Sequence, residues 1–270
     1  MCRYLFIIFF AASLSYIVSA QDVDSLDYSH RFARSIGVAF PSLNYPLLSE
    51  LNYSGYALGF HSVRFREKKN FLNQIQLHSE IGVLYNRAND SYIASLDFRG
   101  DWSRHWYVTE RAQAFRLLCG LGVNAGIGVY MKEGNNNNPL AYFFNLSVSP
   151  SVLAKYRFHI GNTEIDLGQQ IDVPAASLVS YSGYSSSLPY ALVEDEANFF
   201  DAMTLTSFKS YKKYAGISTI DIIPSREGRR KCPSLRITYI CSGMNYKRND
   251  ISIKSVDHSI MIGAIFRMFR

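Results

Sequence analysis

Apolar and polar residues alternate along much of the chain, and the stretch SYIASLDFRGDW (91–102) shows this pattern most clearly. Its even-numbered positions are apolar or glycine, and its odd-numbered positions are polar or charged, with Ile93 as the single exception. Residues two apart share one face of a β-strand. The stretch therefore predicts a strand with one apolar face and one charged face.

The same alternation recurs often enough to predict ten strands and an all-β, antiparallel fold. Pro150 lacks a backbone donor, so we expect a bulge or kink at that position. Ser210–Lys213 could lie within a strand or form a turn, which leaves eight or twelve strands as alternatives. The predicted strands cover residues 28–40, 53–66, 71–86, 91–102, 112–130, 140–159, 163–173, 202–223, 233–244 and 251–269.

The connections between these strands alternate in length. Those of one set (67–70, 103–110, 160–163 and 224–232) are mostly short. The other set includes the longest connections, namely 41–52, 86–90, 131–139, 174–201 and 245–250. Bacterial membrane β-barrels have an even strand number, short periplasmic turns and longer extracellular loops. The pattern therefore predicts an outer-membrane protein of a Gram-negative bacterium with both termini in the periplasm.

Alternation alone does not distinguish a transmembrane β-barrel from a secreted β-sandwich, but composition and strand length favour the barrel. Charged residues make up 19% of the chain and aromatic residues 14%, whereas soluble proteins are roughly 25% charged. The segment 140–159 is longer than the roughly 3–10 residues of ordinary strands. We therefore predict an antiparallel transmembrane β-barrel with its apolar face towards lipid and its polar face towards the lumen.

The first 20 residues, MCRYLFIIFFAASLSYIVSA, have the features of a secretory signal peptide. Arg3 precedes an apolar core, and the small residues Ser19 and Ala20 suit a cleavage site. We expect a signal peptide over 1–20 and one barrel domain over 21–270. The net charge is +6, but the Lys and Arg residues are mostly scattered. The expected partner is therefore outer-membrane lipid rather than nucleic acid.

Charged residues on the lumen face are expected to form a paired polar network, because buried charges need partners. An eight-stranded barrel has an interior just filled by side chains, and open channels appear at about 16 strands. Ten strands therefore predict a closed lumen. The residues assigned to the network are Glu80, Asp97, Arg99, Asp101, Arg116, Arg157, Asp166 and Arg236.

His78 and Glu80 are the candidate catalytic pair, since residues two apart both point inward, towards Asp97 or Arg99 on the next strand. A base oriented by a carboxylate is half of a nucleophilic site. His61 is a weaker candidate, and the neighbours His258 and Ser259 face opposite ways. The sequence has no spaced set of metal ligands and no cofactor motif, so we expect neither a metal nor a cofactor.

Three segments resemble a family of Bacteroidetes outer-membrane β-barrels defined only as a domain of unknown function. They are LNYSGYALGF (51–60), NNNNPLAYF (135–143) and HSIMIGAIFRMF (258–269). The resemblance covers most of the mature chain and implies a barrel fold without a catalytic signature. Such barrels generally end on an aromatic residue that the barrel assembly machinery reads. Here Phe269 is followed by Arg270.

The sequence thus favours a monomeric outer-membrane barrel with a structural or surface-interaction role. The long segment 174–200, rich in Ser, Tyr and Gly, resembles adaptable recognition surfaces. The sequence does not identify the extracellular ligand. A barrel enzyme acting on lipid A or phospholipid is the alternative hypothesis. A small-solute channel is a third hypothesis that the narrow lumen disfavours.

Overall fold

The computed structural model describes residues 30–46, 48–86, 88, 90–110, 114–132, 140–182, 203–224, 234–248 and 251–268. The expected signal peptide, most of the segment 174–200, and Phe269 with Arg270 lie outside the described residues. Within the described ranges, no helix is long and apolar enough to cross a membrane.

The described chain forms thirteen β-strands. They are β1 (His30–Ala39), β2 (Ser42–Tyr45), β3 (Ser49–Glu67), β4 (Phe71–Asn86), β5 (Ser91–Tyr107), β6 (Phe115–Lys132), β7 (Leu140–Ile160), β8 (Thr163–Asp172), β9 (Ala176–Tyr181), β10 (Thr204–Ser207), β11 (Tyr211–Pro224), β12 (Ser234–Arg248) and β13 (Ile251–Met268).

These strands close into an antiparallel barrel whose wall has ten positions. Strand β1 pairs with β13, and β7 pairs with β8, so the sheet is continuous around the barrel. Three wall positions are each built from two shorter strands. In the first position, β1 and β2 both lie between β13 and β3. In the second, β8 and β9 both pair with β7. In the third, β10 pairs with β9 and β11 pairs with β8. The ten-strand prediction is confirmed.

The strands extend further than the sequence predicted at the end of the barrel with the longer connections. The expected connection 41–52 contains β2 and the start of β3, and the expected connection 174–201 contains β9. These short additions are rich in Ser and Asn, so their composition resembles that of a loop. Ser210 lies in a turn at 208–210, and β11 begins at the next residue.

The register between β6 and β7 runs through Leu121 and Pro150 without a shift. On the other side of β7, residues 149–150 face the three residues 173–175, so the irregularity expected at Pro150 lies in the pairing with β8 and β9. Pro150 lies where the partner of β7 changes from β9 to β8. Its carbonyl accepts a hydrogen bond from Val173, in the interruption between those two strands. The missing proline N–H therefore faces a gap in the ladder, where its loss costs little.

The outer face of the barrel is apolar. Ile81 is 61% exposed, Leu58 56% and Ile262 55%, and each lies on the apolar parity of its strand. Trp102 and Trp106 are also exposed on this face. So broad an exposed apolar surface fits contact with lipid hydrocarbon rather than water.

The inner face is polar at its centre and apolar at both ends. We call the end with the connections 87–90 and 133–139 the upper end, and the end with His30 and Met268 the lower end. The upper end is filled by buried apolar side chains, here called the upper cluster: Leu43, Tyr45, Leu48, Tyr53, Leu84, Ile93, Tyr130, Ala141, Phe143, Val179, Tyr211, Tyr246 and Ile253. Two smaller apolar groups, around Val63 and Leu118, lie towards the lower end.

Candidate functional site

Polar side chains fill the lumen between these apolar ends and form two networks. The lower network contains Glu67, Arg116, Lys155, Arg157, Glu164, Asp166, Asp221 and Arg236. The upper network contains His78, Glu80, Asp97, Arg99, Asp101, Asp172, Lys213, Asp257 and Ser259. All eight residues assigned from the sequence to the lumen lie inside the barrel, distributed over both networks.

The lower network consists of direct ion pairs. Asp166 lies between two guanidinium groups, with Arg157 Nη2 at 2.9 Å and Arg116 Nη2 at 3.2 Å from its Oδ2. Arg236 contacts both oxygens of Asp221, from Nε to Oδ1 at 2.6 Å and from Nη2 to Oδ2 at 2.5 Å. Each carboxylate of this network has an Arg partner, which is what burial of charge requires.

A layer of amides separates the two networks. His61 Nε2 lies 3.0 Å from Gln76 Oε1. Gln170 Oε1 accepts hydrogen bonds from Gln74 at 3.0 Å and from Gln76 at 3.3 Å. Because these side chains come from different strands and meet across the lumen, they narrow the barrel at its middle.

His78 and Glu80 meet two further side chains in the upper network. His78 Nε2 lies 2.6 Å from Glu80 Oε1. The Ser259 hydroxyl lies within hydrogen-bond distance of Glu80 Oε1, at 2.8 Å, and of Asp257 Oδ2, at 2.9 Å. Both pairs are two residues apart on one strand, β4 and β13, so strand geometry alone points each pair inward.

The upper network contains more acids than bases. Its five acidic residues are Glu80, Asp97, Asp101, Asp172 and Asp257, whereas its lysine and arginine residues are only Arg99 and Lys213, so the acidic residues outnumber them by three. Arg99 interacts electrostatically with Asp101, Asp257, Glu80 and Asp97, and its guanidinium donates a hydrogen bond to Ser242 at 3.4 Å. Each of these two residues is therefore shared among several acids.

A cavity of about 80 Å³ lies within the upper network. His78, Glu80, Asp97, Arg99 and Asp257 are among the side chains that line it. A water molecule needs roughly 10–15 Å³ of such volume, so the cavity has room for several. A second cavity, of about 20 Å³, lies in the lower half beside the amide layer and has room for about one water.

The geometry does not assemble a nucleophilic triad. The candidate hydroxyl of Ser259 is directed at carboxylates, whereas His78 uses Nε2 for Glu80, and its Nδ1 has no hydrogen-bond partner. A serine hydrolase needs the imidazole next to the nucleophilic hydroxyl. His258 points outward, where its Nδ1 lies 2.8 Å from the Tyr239 hydroxyl. His61 belongs to the amide layer.

Sequence reasoning missed Asp257, Ser259 and Lys213 as members of the upper network. The available signal was the alternation of inward and outward positions along the last strand, where Asp257 and Ser259 alternate with His258 and Ile260. Parity assigns a residue to the lumen without saying which strands face each other across it. For the same reason the sequence does not reveal one group of possible metal ligands: His78, Glu80 and Asp257 each offer a ligand atom, and these atoms lie within 4.8 Å of one another.

A closed antiparallel wall of ten positions, apolar outside and polar inside, is the fold of the outer-membrane β-barrels. The outer membrane protease OmpT from Escherichia coli has a similar structure, with a TM-score of 0.56, 8% identity, and coverage of 91% of this chain and 99% of OmpT. The translocator domain of autotransporter NalP from Neisseria meningitidis gives a TM-score of 0.46 and 8% identity over 91% of this chain and 90% of that domain. At 8% identity the likeness to OmpT shows the fold alone.

The chain belongs to the family described as "Protein of unknown function (DUF3316)", whose sequence pattern matches residues 4–270. The match spans every described strand of the barrel. No curated protein matches the chain.

Proposed function

We propose that this protein is a closed outer-membrane barrel whose role is structural or surface-interacting, exerted at its upper end rather than through its lumen. The observation that carries the proposal is the filling of the lumen at successive levels. The upper cluster, the upper network, the amide layer and the lower network follow one another along the barrel. Within the part of the lumen that the structure describes, the cavities of about 80 and 20 Å³ are each too small to be an aqueous channel.

The upper cluster makes the upper end a rigid support. Tyr45 and Tyr130 meet edge to face with ring centroids 6.0 Å apart, and Phe143 and Tyr246 do so at 5.9 Å. A membrane strand needs about 9–11 residues, whereas β3 has 19 and β7 has 21. The wall can therefore extend beyond the bilayer at the upper end.

The orientation that suits this role places the upper end outside the cell and both termini in the periplasm of a Gram-negative bacterium. The alternation of short and long connections supports this orientation. The family resemblance in the sequence further suggests an origin in the Bacteroidetes. We expect the barrel to be a monomer that reaches the outer membrane through the barrel assembly machinery.

A barrel enzyme acting on lipid A or phospholipid is less well supported. His78 and Glu80 are buried in the lumen at 5% and 6% exposure, beneath the upper cluster. A lipid substrate approaching from the membrane would meet the apolar outer wall instead. His78→Ala tests this alternative: an altered lipid A or phospholipid profile in cells with normally assembled barrel would favour the enzyme.

Two measurements test the proposal. Recordings of the purified barrel in planar bilayers are expected to give no large, stable conductance steps, and such steps would contradict the closed lumen. For orientation, an epitope is inserted after Ser187 in one variant and after Gly228 in a matched control. We expect antibody to label intact cells that carry the first insertion, and to label the second only after permeabilisation. The reverse pattern would contradict the orientation.

A further inference from the structure

We propose that His78, Glu80 and Asp257 form a binding site for one divalent transition-metal ion inside the lumen. This proposal does not depend on the function proposed for the upper end of the barrel. Each residue offers one ligand atom, and these atoms lie within 4.8 Å of one another. Ligands bound at about 2.0–2.2 Å are separated from each other by distances inside that limit, so small side-chain movements suffice to close the site around an ion.

The type of donor selects the class of ion. One imidazole nitrogen and two carboxylate oxygens suit zinc and neighbouring first-row divalent ions, whereas magnesium and calcium prefer oxygen ligands alone. The adjoining cavity of about 80 Å³ has room for the water molecules that would complete the coordination.

Buried side-chain atoms without a hydrogen-bond partner support the site independently. His78 is 5% exposed, and its Nδ1 has no hydrogen-bond partner. Asp257 Oδ1 is also buried and without a partner. Buried polar atoms without partners are uncommon because each carries a desolvation cost of about 1–3 kcal/mol. Because Nε2 is the nitrogen of His78 that faces Glu80, an ion between these side chains would bind Nε2, and the unpartnered atom that it could satisfy is Asp257 Oδ1.

Charge balance supplies a third argument. The lower network pairs each of its carboxylates with Arg, whereas the upper network has five acidic residues and only Arg99 and Lys213 to balance them. An excess of negative charge in an enclosed interior is costly unless it is neutralised. A divalent ion held by Glu80 and Asp257 removes most of that excess. The site would thus bind the ion for structural reasons and fasten β4 to β13 across the lumen.

The test uses the mature chain refolded in detergent. Wild type, His78→Gln, Asp257→Asn and the control Asp172→Asn are refolded with Zn²⁺, desalted and analysed for bound zinc. Asp172 is a fair control because it lies in the same network, but its carboxylate accepts a hydrogen bond from Gln170 and is not one of the three proposed ligands. Unboiled gel mobility verifies that each variant has folded.

We expect about one zinc per wild-type chain, as for a single site. Loss of a ligand is expected to weaken zinc binding at least about tenfold, and Asp172→Asn to weaken it less than about threefold. Cobalt should give the absorption bands of a protein-bound ion in wild type and not in His78→Gln. Wild type without bound zinc, or His78→Gln with as much as wild type, would overturn the proposal.

A second measurement needs no variant, in case either substitution prevents folding. An ion that binds only the folded barrel must raise its thermal midpoint. Wild-type barrel stripped with EDTA should unfold at a lower temperature than barrel refolded with Zn²⁺, and added Mg²⁺ should not replace the effect. An identical midpoint in all three conditions would overturn the proposal even if the variants do not fold.

Discussion

The bidentate pair between Arg236 and Asp221 allows the energetics of the lumen to be tested quantitatively. The two residues lie directly opposite each other on β12 and β11, and their side chains are 4% and 12% exposed. Two charge-assisted hydrogen bonds, at 2.6 and 2.5 Å, join them. Replacing one partner leaves the other charge buried and without this partner.

We expect Arg236→Met or Asp221→Leu alone to lower the free energy of unfolding by about 3–5 kcal/mol, the usual cost of breaking a buried ion pair. The double variant replaces the pair with apolar side chains, and such replacements are often close to neutral. Its loss should therefore be much smaller than the sum of the two single losses. The coupling energy of the cycle is expected to exceed about 3 kcal/mol, beyond the usual range for surface pairs.

Urea unfolding of the barrel in lipid vesicles measures these values. Trp102 and Trp106 lie on the outer face, so their fluorescence reports whether the wall is in contact with lipid. Unboiled gel mobility gives an independent measure of the folded fraction. Single losses below about 1 kcal/mol, or losses that simply add in the double variant, would refute the assignment of this pair to a dehydrated lumen.

Two further predictions concern the pairing of the first and last strands, β1 and β13, and the outer face of the barrel. Gly37→Val should prevent β1 from pairing with β13, because a Cβ at Gly37 would lie 2.0 Å from the carbonyl oxygen of Ile260. Gels of unboiled samples should then show no folded band. Gly100→Ala is the matched control and should fold, since its nearest neighbour would be 3.6 Å away, and loss of folding there would contradict the packing argument. Ile81→Arg should lower the free energy of unfolding in vesicles by about 2–4 kcal/mol, as a cation facing hydrocarbon does, whereas Ile81→Leu should change it little; an equally small effect for both would indicate that this face is in water.

The sequence was sufficient to predict the wall of the barrel because alternation is a local property. Tyr92 to Trp102 show it within one strand, and the number of strands follows from counting such segments. Ile93, the one exception in that stretch, also had a structural cause: it is buried in the upper cluster. At the upper ends of several strands, apolar residues occupy positions that face the lumen. These residues were therefore the available signal that the upper end of the barrel is filled.

The partners across the lumen could not be predicted in the same way. Ser259 and Glu80 are 179 residues apart in sequence and meet only because the wall closes. Parity places each on the inner face, but the height of each residue along the barrel depends on the register and tilt of all the intervening strands. The cluster of His78, Glu80 and Asp257 was for this reason invisible in the sequence, while the pair on β4 was visible.

Spin-label scanning along β5 tests the central claim, namely that lipid covers the apolar face. Single cysteines are placed in turn at positions 94–101, with Cys119, Cys232 and Cys241 replaced by Ser, and the labelled barrel is reconstituted in vesicles. We expect accessibility to lipid-dissolved oxygen to alternate with a period of two, high at Leu96 and Phe98 and low at Asp97 and Arg99. A flat profile, or one in which the odd positions are exposed to a water-soluble nickel reagent while Leu96 and Phe98 are shielded from both, would show that protein covers the apolar face and would contradict the account.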